Sequence, residues 1–436
     1  MTYPKIAVLI PARNEEKSIE ESIKSIFRSS YPIDQVIVIS DNSTDKTVEV
    51  VDSLRARFVK LKVIRTKNNK ARKAGALNRA IRQFCTDSKY IMVLDADTRV
   101  DTECIKEGIR LLEKDPQIGG ICARTHVAPI KGSENKNVPP DKEITQKIIL
   151  SKIDPSKEVT QKIIFSKIDP SIDPSKEVTQ KIRVAKPTPI HDDVTKKIVL
   201  EKANEPKTKI TLGQKIWWQI QRLEYATADS NRVENLERIQ ILAGSNVIYR
   251  MEALKQVAIK RGNGQFYDES SLIEDYELTI MLKELGWKTT IGLKMHAWTD
   301  VPLNLKTHWQ QRIRWARSHI DTLREKGWNK ITKADILGHI MFVIIFPQQI
   351  FFLGLLVYLL ATNTHIVWNP LLWSILGVNW VSRMYRLKYL PDLKFSDILV
   401  RAMFIPEELY GIYQSVQRVY SYWLAFTHGP EVWHET

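Results

Sequence analysis

At 436 residues the chain is too long for one compact core, and its 43% hydrophobic and 26% charged residues match globular domains. That balance excludes wholesale disorder, a fibrous protein and a polytopic transporter. Lys plus Arg number 65 against 50 Asp plus Glu, a formal charge of +15, which favours phosphate-bearing partners: nucleic acid, an anionic membrane face or a nucleotide. Cys85, Cys104 and Cys122 are odd in number and lack metal-ligand spacing, so no disulfide framework is expected.

Met1 to Lys5 leads directly into Ile6-Ala-Val-Leu-Ile10, a run too short for a secretory h-region. It predicts a buried strand and a chain that starts folding in the cytosol. Short β-branched-rich runs at 6–10, 36–40, 61–65 and 90–94 alternate with helical patterns at about 15–29, 45–58 and 73–85. This rhythm predicts an α/β fold, a parallel sheet with helices on both faces, whose ligand site lies at the carboxyl ends of the strands. Three polar clusters fall at those ends: Pro11-Ala-Arg-Asn-Glu-Glu16, Asp41-Asn-Ser-Thr-Asp45 and Asp95-Ala-Asp97.

The rhythm breaks over 128–210, where Lys142-Glu-Ile-Thr-Gln-Lys-Ile148 recurs at 157–163 and 176–182, with a degenerate copy at 193–198. Asp-Pro-Ser closes the units, and proline at that period forbids a long helix. Short strands and turns are predicted, inserted between two halves of one domain. The insertion is either surface decoration or an oligomerisation module whose repeats stack to bury their apolar faces. Regular structure resumes near Thr211, with a helix over 214–235, a strand over 239–249, a helix over 274–285 ended by Gly286, and a strand over 288–293.

Ile336–Ala361 is 26 residues without Lys, Arg, Asp or Glu, long enough to cross a bilayer. A second uncharged run covers 366–381, and Lys326, Lys330, Lys333, Arg383, Arg386 and Lys388 flank the pair. That is the charge pattern of a membrane hairpin, about 336–381, with both ends cytosolic. The alternative is a buried helical pair. The stretch from about 395 to 426 mixes Arg401, Glu407, Glu408 and Arg418 with many aromatics, which suits helices lying in the membrane interface. The expected divisions are thus 1–127, 128–210, 211–330 and a membrane region, 331–436.

Two carboxylates at i and i+2 on a strand end, Asp95 and Asp97, can share a divalent cation suited to a nucleotide diphosphate. The structural alternative is a solvated turn in which Asp97 caps a following helix. Asp41 can accept hydrogen bonds from a base or ribose, or its cluster can simply cap a helix. Lys73, with Gly75 and Asn78, can neutralise phosphate at a helix start, or be one more solvated base beside Lys70 and Arg72. Glu274 and Asp275 open a helix, where acids complement the helix dipole or where one acts as general base at a cleft edge. Gln311, Arg314 and Trp315 fall within one helical turn and can project together, Arg314 toward a diphosphate and Trp315 onto a sugar ring. Otherwise they form a salt-bridged helix with one buried Trp.

In this order the motifs resemble family 2 glycosyltransferases of the GT-A fold, above all the membrane-bound branch that includes hyaluronan, chitin, cellulose and poly-N-acetylglucosamine synthases. The matches are Pro11-Ala-Arg-Asn-Glu-Glu16, Asp41-Asn-Ser-Thr-Asp45, Lys73-Ala-Gly-Ala-Leu-Asn78, Asp95-Ala-Asp97, Glu274-Asp275 and Gln311-Arg-Ile-Arg-Trp315, over about 1–127 and 211–330. The resemblance implies that Pro11, Asn14, Glu15, Asp41 and Asp95 hold the nucleoside and Lys73 the diphosphate. It implies that Asp97, with Asp95, ligates Mg²⁺ or Mn²⁺ and that Asp275, beside Glu274, is the catalytic base. Gln311, Arg314 and Trp315 would close over the donor and line the acceptor site, with Gly244, Ser245 and Asn246 near the acceptor.

The function so implied is inverting transfer of a hexose from a nucleotide sugar, UDP-linked by expectation, to a hydroxyl of a lipid or saccharide at the membrane. A processive polysaccharide synthase, needing a homo-oligomer or partner to form a channel, is the alternative. The chain departs from the branch in placing Ile273 before Glu274, in its 128–210 repeats and in lacking apolar helices ahead of the catalytic motifs. No basic helix or aromatic platform of a nucleic-acid reader is present in the sequence, so nucleic acid is not an expected partner.

Overall fold

The computed structural model describes residues 3–67, 69–130, 210–236, 239–362, 370–403 and 405–427. Residues 1–130 and 210–436 form one compact unit, so the two expected halves share a domain. Residues 131–209 form a second unit, and the repeats there lie outside the described residues.

The first segment builds β1 (Ile6–Ala12), α1 (Ile19–Phe27), β2 (Gln35–Asp41), α2 (Thr47–Arg55), β3 (Leu61–Thr66), α3 (Arg72–Phe84), β4 (Tyr90–Leu94), β5 (Thr98–Val100), α4 (Cys104–Lys114) and β6 (Ile118–Val127). Period-two alternation assigns the side chains to two cores. Ile6, Val8, Ile10, Val36 and Val38 face α1, α2 and α4. Ala7, Leu9, Ile37 and Ile39 face the other way, onto α3. Helix α3 supplies that face with Ala74, Leu77, Ala80 and Ile81, a 3.6-residue stripe.

The second segment adds α5 (Leu212–Glu234), β7 (Asn246–Arg250), α6 (Met251–Arg261), α7 (Glu274–Glu284), β8 (Lys288–Thr299) and α8 (Leu305–Lys326). One eight-stranded sheet results, ordered β3-β2-β1-β4-β7-β6-β8-β5. It is mixed, not parallel: β7 runs antiparallel to both β4 and β6. Alternating burial is common to both strand directions, which is why the sequence pattern predicted strands but not this reversal.

The strand expected over 239–249 shrinks to β7. Upstream of it, the Leu242 amide donates to Thr279 Oγ1 at 3.1 Å and the Gly244 amide to Asp275 Oδ2 at 2.8 Å. Side chains of α7 take the hydrogen bonds that a neighbouring strand would have taken. Ile239 and Leu242 are nonetheless fully buried, so the apolar signal there reported burial alone.

Beyond α8 come α9 (Lys333–Ala361), α10 (Pro370–Tyr385), α11 (Phe395–Ala402) and α12 (Ile405–Phe426). Among the described residues no helix is long and apolar enough to cross a membrane. Several side chains in the second half of α9, most of the expected hairpin turn at 362–365 and the start of the second uncharged run lie outside the described residues. In the described part of α9, Leu337, Ile340, Met341, Val343 and Ile344 are exposed to solvent. Ile220, Leu223 and Ala226 of α5 pack with Leu387, Leu390, Val400 and Tyr410, which joins these last helices to the domain.

Candidate active site

The carboxyl ends of β1 and β4 and the start of α7 open onto a cavity of about 640 Å³. Its walls carry Pro11 and Glu15 from the end of β1, Lys73 from α3, Asp95 and Asp97 beyond β4, Gly244 and Ser245 before β7, Glu274 and Asp275 on α7, and Gln311, Arg314 and Trp315 on α8. Twelve of the fifteen residues singled out in the sequence therefore meet at one site, although they come from segments up to three hundred positions apart.

Lys73 is the hub. Its Nζ lies 2.8 Å from Asp95 Oδ1 and 3.1 Å from Glu274 Oε1. Burial alone would lower its pKa, but Asp95, Glu274 and Asp275 overcome that and raise it well above the ordinary lysine value. Lys73 is thus a fixed positive charge lining the cavity, suited to meet a phosphate.

Asp275 sits in the first turn of α7 with both carboxylate oxygens held. Oδ2 accepts the Gly244 amide at 2.8 Å and Oδ1 accepts the Tyr276 amide at 2.8 Å. A Cβ on residue 244 would stand 2.9 Å from Asp275 Oδ2 and 3.0 Å from its Cβ, so only glycine allows this approach. Burial and then the Glu274 charge push the Asp275 pKa up to about 6, against the pull of Lys73 and the two amides. Such a carboxylate is ionised at neutral pH yet more basic than a solvated one, as a general base requires.

Asp97 also lines the cavity. It precedes a strand, β5, rather than a helix, so it caps nothing. Its Oδ1 accepts Thr98 Oγ1 at 3.1 Å and Thr299 Oγ1 at 3.3 Å. Burial, then the charges of Asp95, Glu15 and Asp300, push its pKa up to about 7. Acidic groups are therefore crowded at this end of the cavity. Among the described residues no three His, Cys, Asp or Glu are grouped to hold an ion unaided. Mg²⁺ and Mn²⁺ at diphosphate sites take one or two carboxylates and complete their shell with phosphate and water. The donor set fits a cation that arrives with a diphosphate, held by Asp97 with Asp95.

Three singled-out residues stand outside the wall. Asn14, with φ 57°, accepts the Thr44 amide through Oδ1 at 2.8 Å and so joins the loops after β1 and β2. Asp41 Oδ1 accepts from Thr66 Oγ1 and, at 3.0 Å, from Asn69 Nδ2. Asn246 is fully buried, accepts the Ala123 amide at 2.9 Å and donates to Thr125 Oγ1 at 3.0 Å.

The cavity also holds residues that the sequence reading did not single out. Glu224, Tyr225, Ala228 and Arg232 line it from α5, and Arg72, Thr299, Asp300, Arg312 and His319 are among the other lining residues. The α5 set is spaced for one helical face, a signal present in the sequence. Asp300 carries no such signal, because it reaches the site only through the pairing of β8 with β5.

Comparison with known proteins bears on this cavity. Residues 7–163 match the glycosyl transferase family 2 description and residues 216–391 match glycosyl transferase family group 2. The chain is 22% identical over 345 residues to the poly-beta-1,6-N-acetyl-D-glucosamine synthase of Staphylococcus epidermidis, covering 77% of this chain and 60% of that one. It is 31% identical over 129 residues to the beta-monoglucosyldiacylglycerol synthase of Synechocystis sp., covering 29% and 26% respectively. It thus spans less than two thirds of either relative's length. The mannosyltransferase PcManGT from Pyrobaculum calidifontis, solved with GDP-Man and Mn2+, covers 98% of this chain and 88% of its own at 13% identity. Its TM-score of 0.48 makes that a loose likeness, which carries no argument about function. With Lys73, Asp95 and Asp97 inside the first matched segment, and Gly244, Asp275 and Gln311 inside the second, the chain carries glycosyltransferase family 2 domains, homologous to poly-beta-1,6-N-acetyl-D-glucosamine synthase and other synthases of that family.

Proposed function

We propose that the protein is a membrane-anchored, inverting hexosyltransferase that uses a nucleotide sugar, UDP-linked, and a lipid or saccharide hydroxyl as acceptor. One observation carries this: a single cavity is lined by a half-buried carboxylate, Asp275, together with Asp95, Asp97 and Lys73, residue types suited to a diphosphate and its cation. The arrangement suits in-line displacement. Asp275 takes the proton from the acceptor hydroxyl, the oxygen attacks the anomeric carbon, and the bond to the diphosphate breaks on the far side with inversion. Lys73 stabilises the charge that develops on the departing phosphate. A bound Mg²⁺ or Mn²⁺ at Asp97 and Asp95 would add Lewis-acid stabilisation of that leaving group. Gln311, Arg314 and Trp315 close over the donor and offer the acceptor sugar a stacking face. Glu15 and Pro11 border the nucleoside.

The membrane assignment draws on sequence. The run 336–361 holds no charged residue, and Lys and Arg flank the expected hairpin, a pattern that supports a cytosolic catalytic domain. The exposed Leu409, Val416, Tyr420 and Trp423 on α12 suit a helix lying in the interface. A processive polymer synthase, assembled as a homo-oligomer, is the second reading, favoured by the polymer synthase named among the relatives. Full-length protein, Mn²⁺, membrane lipids and a panel of radiolabelled nucleotide sugars test both. A lipid-extractable product supports single transfer, a product that stays at the chromatographic origin supports a polymer, and no transfer from any donor overturns the proposal.

A further inference from the structure

Glu224 belongs to none of the motifs, yet it stands in the cavity wall beside them. Its carboxylate accepts three side-chain hydrogen bonds. Arg312 Nη2 donates to Oε2 at 2.8 Å, Tyr410 Oη to Oε2 at 2.6 Å and Gln414 Nε2 to Oε1 at 2.8 Å. These donors come from α8 and α12, while Glu224 belongs to α5. The carboxylate is thereby committed to protein donors from two other helices rather than offered to a substrate.

Arg312 is held at a second point. Its Nε donates to His308 Nε2 at 3.2 Å, which requires a lone pair on that nitrogen. His308 is fully buried, and burial followed by the Arg312 charge pushes its pKa down to about 3, so the ring is neutral. With Nε and Nη2 both fixed, the guanidinium carbon lies 4.8 Å from the centre of the Trp315 ring. A cation so placed steadies the ring, and Glu224, its charged partner, holds it there together with His308. A second chain of contacts runs the same way: His319, also in the cavity wall, meets His339 Nε2 at 3.1 Å, and His339 Nδ1 meets Tyr422 Oη at 2.5 Å. Two cavity residues are thus tied to α12, through Tyr410 with Gln414 and through Tyr422.

We propose that Glu224 is a positioning residue for the acceptor subsite: it clamps Arg312 beneath Trp315 and ties that ring to α12. The inference rests on the proposal that Trp315 stacks on the acceptor. Replacing Glu224 by Gln keeps the shape and removes the charge, leaving Arg312 without its counter-ion and Trp315 without its support.

Two measurements on the full-length protein test it. Acrylamide quenching of tryptophan fluorescence, taken as wild type minus Trp315→Phe, isolates the Trp315 signal. The same difference in the Glu224→Gln background should show a severalfold larger quenching constant. In transfer assays, Glu224→Gln should raise the acceptor KM about tenfold, the order expected for losing a partly desolvated cation–π support, with nucleotide affinity unchanged. Glu224→Asp, which keeps the charge, should retain more acceptor affinity than Gln. In a Trp315→Ala background, Glu224→Gln should add no further loss. Tyr410→Phe, which leaves Glu224 and Arg312 in place, should move both readouts the same way by less and guards against a Gln variant that fails to fold. Equal quenching in folded variants, or an acceptor KM that stays at the wild-type value, overturns the inference. If wild-type protein transfers no sugar at all, the functional proposal fails, while the quenching comparison still decides the role of Glu224.

Discussion

The Gly244 amide donates to Asp275 Oδ2 at 2.8 Å, and the space beside that carboxylate has no room for a side chain on residue 244. The loop before β7 and the first turn of α7 are thereby locked together at the proposed base. Gly244→Ala places a methyl group 2.9 Å from Asp275 Oδ2 and must push the carboxylate off its amide. A misplaced base costs about 10²-fold, so transfer should fall by that order. Steady-state kinetics with a titration of UDP checks this, the expected pattern being lost kcat with nucleotide affinity retained.

Asp275→Asn removes the base and keeps the side chain's shape, although its single oxygen can accept only one of the two amide hydrogen bonds. Transfer should fall roughly 10²- to 10⁴-fold, the usual share of general-base catalysis, with nucleotide binding intact. In the unaltered protein, kcat/KM should rise with pH and level off above about 6, where Asp275 is ionised. The same shift has a stability consequence. The folded state holds this proton more tightly than the unfolded chain, whose value is near 3.8, so the contribution is present below pH 3.8 and lost as pH rises through about 6. Ligand-free Asp275→Asn should therefore show a flatter dependence of stability on pH across that window in denaturant titrations.

Lys73 lowers the Asp275 pKa and also pairs with Asp95, where the diphosphate is proposed to bind. Lys73→Met should then do two things. Nucleotide affinity should drop, and the acidic limb of the kcat/KM profile should move to higher pH, because the base loses a neighbouring positive charge. A profile that keeps its position would show that Lys73 acts on phosphate alone.

Much of the site could be read from sequence because its motifs sit where the chain leaves a strand or enters a helix. Asp95 and Asp97 follow β4, and Glu274 and Asp275 open α7, so local pattern was enough to locate them. The helix-capping alternative for Asp97 fell only with the structure, in which β5 follows it. Nothing local says that Asp97 meets the Thr299 hydroxyl, which comes from a strand two hundred residues away. The direction of β7 was hidden for the same reason: alternation reports which face is buried, not which way a strand runs. Glu224 lies on a helix that the sequence predicts, but its donors, Arg312 and Tyr410, come from α8 and α12, far along the chain.

Asn246 illustrates a residue whose neighbourhood in sequence suggested a ligand contact but whose side chain bonds to the protein itself, in part to Thr125 and Ser245 of the cavity lining. It bridges β6 and β7 by accepting the Ala123 amide and donating to Thr125 Oγ1. Asn246→Ala leaves a buried amide without its acceptor, which should cost about 1–3 kcal/mol of stability. Thermal melting should register the loss while UDP affinity holds. The reverse pattern, an unchanged melting temperature with weakened UDP binding, would return Asn246 to the site.

The acidic end of the cavity is the most direct place to test the whole account. Calorimetric titration of UDP should be carried out with and without Mn²⁺, on the unaltered protein and on Asp97→Ala. The account predicts that Mn²⁺ tightens UDP binding to the unaltered protein and that Asp97→Ala abolishes this gain while binding without the ion persists. An equal Mn²⁺ gain in both proteins, or none in either, would contradict it.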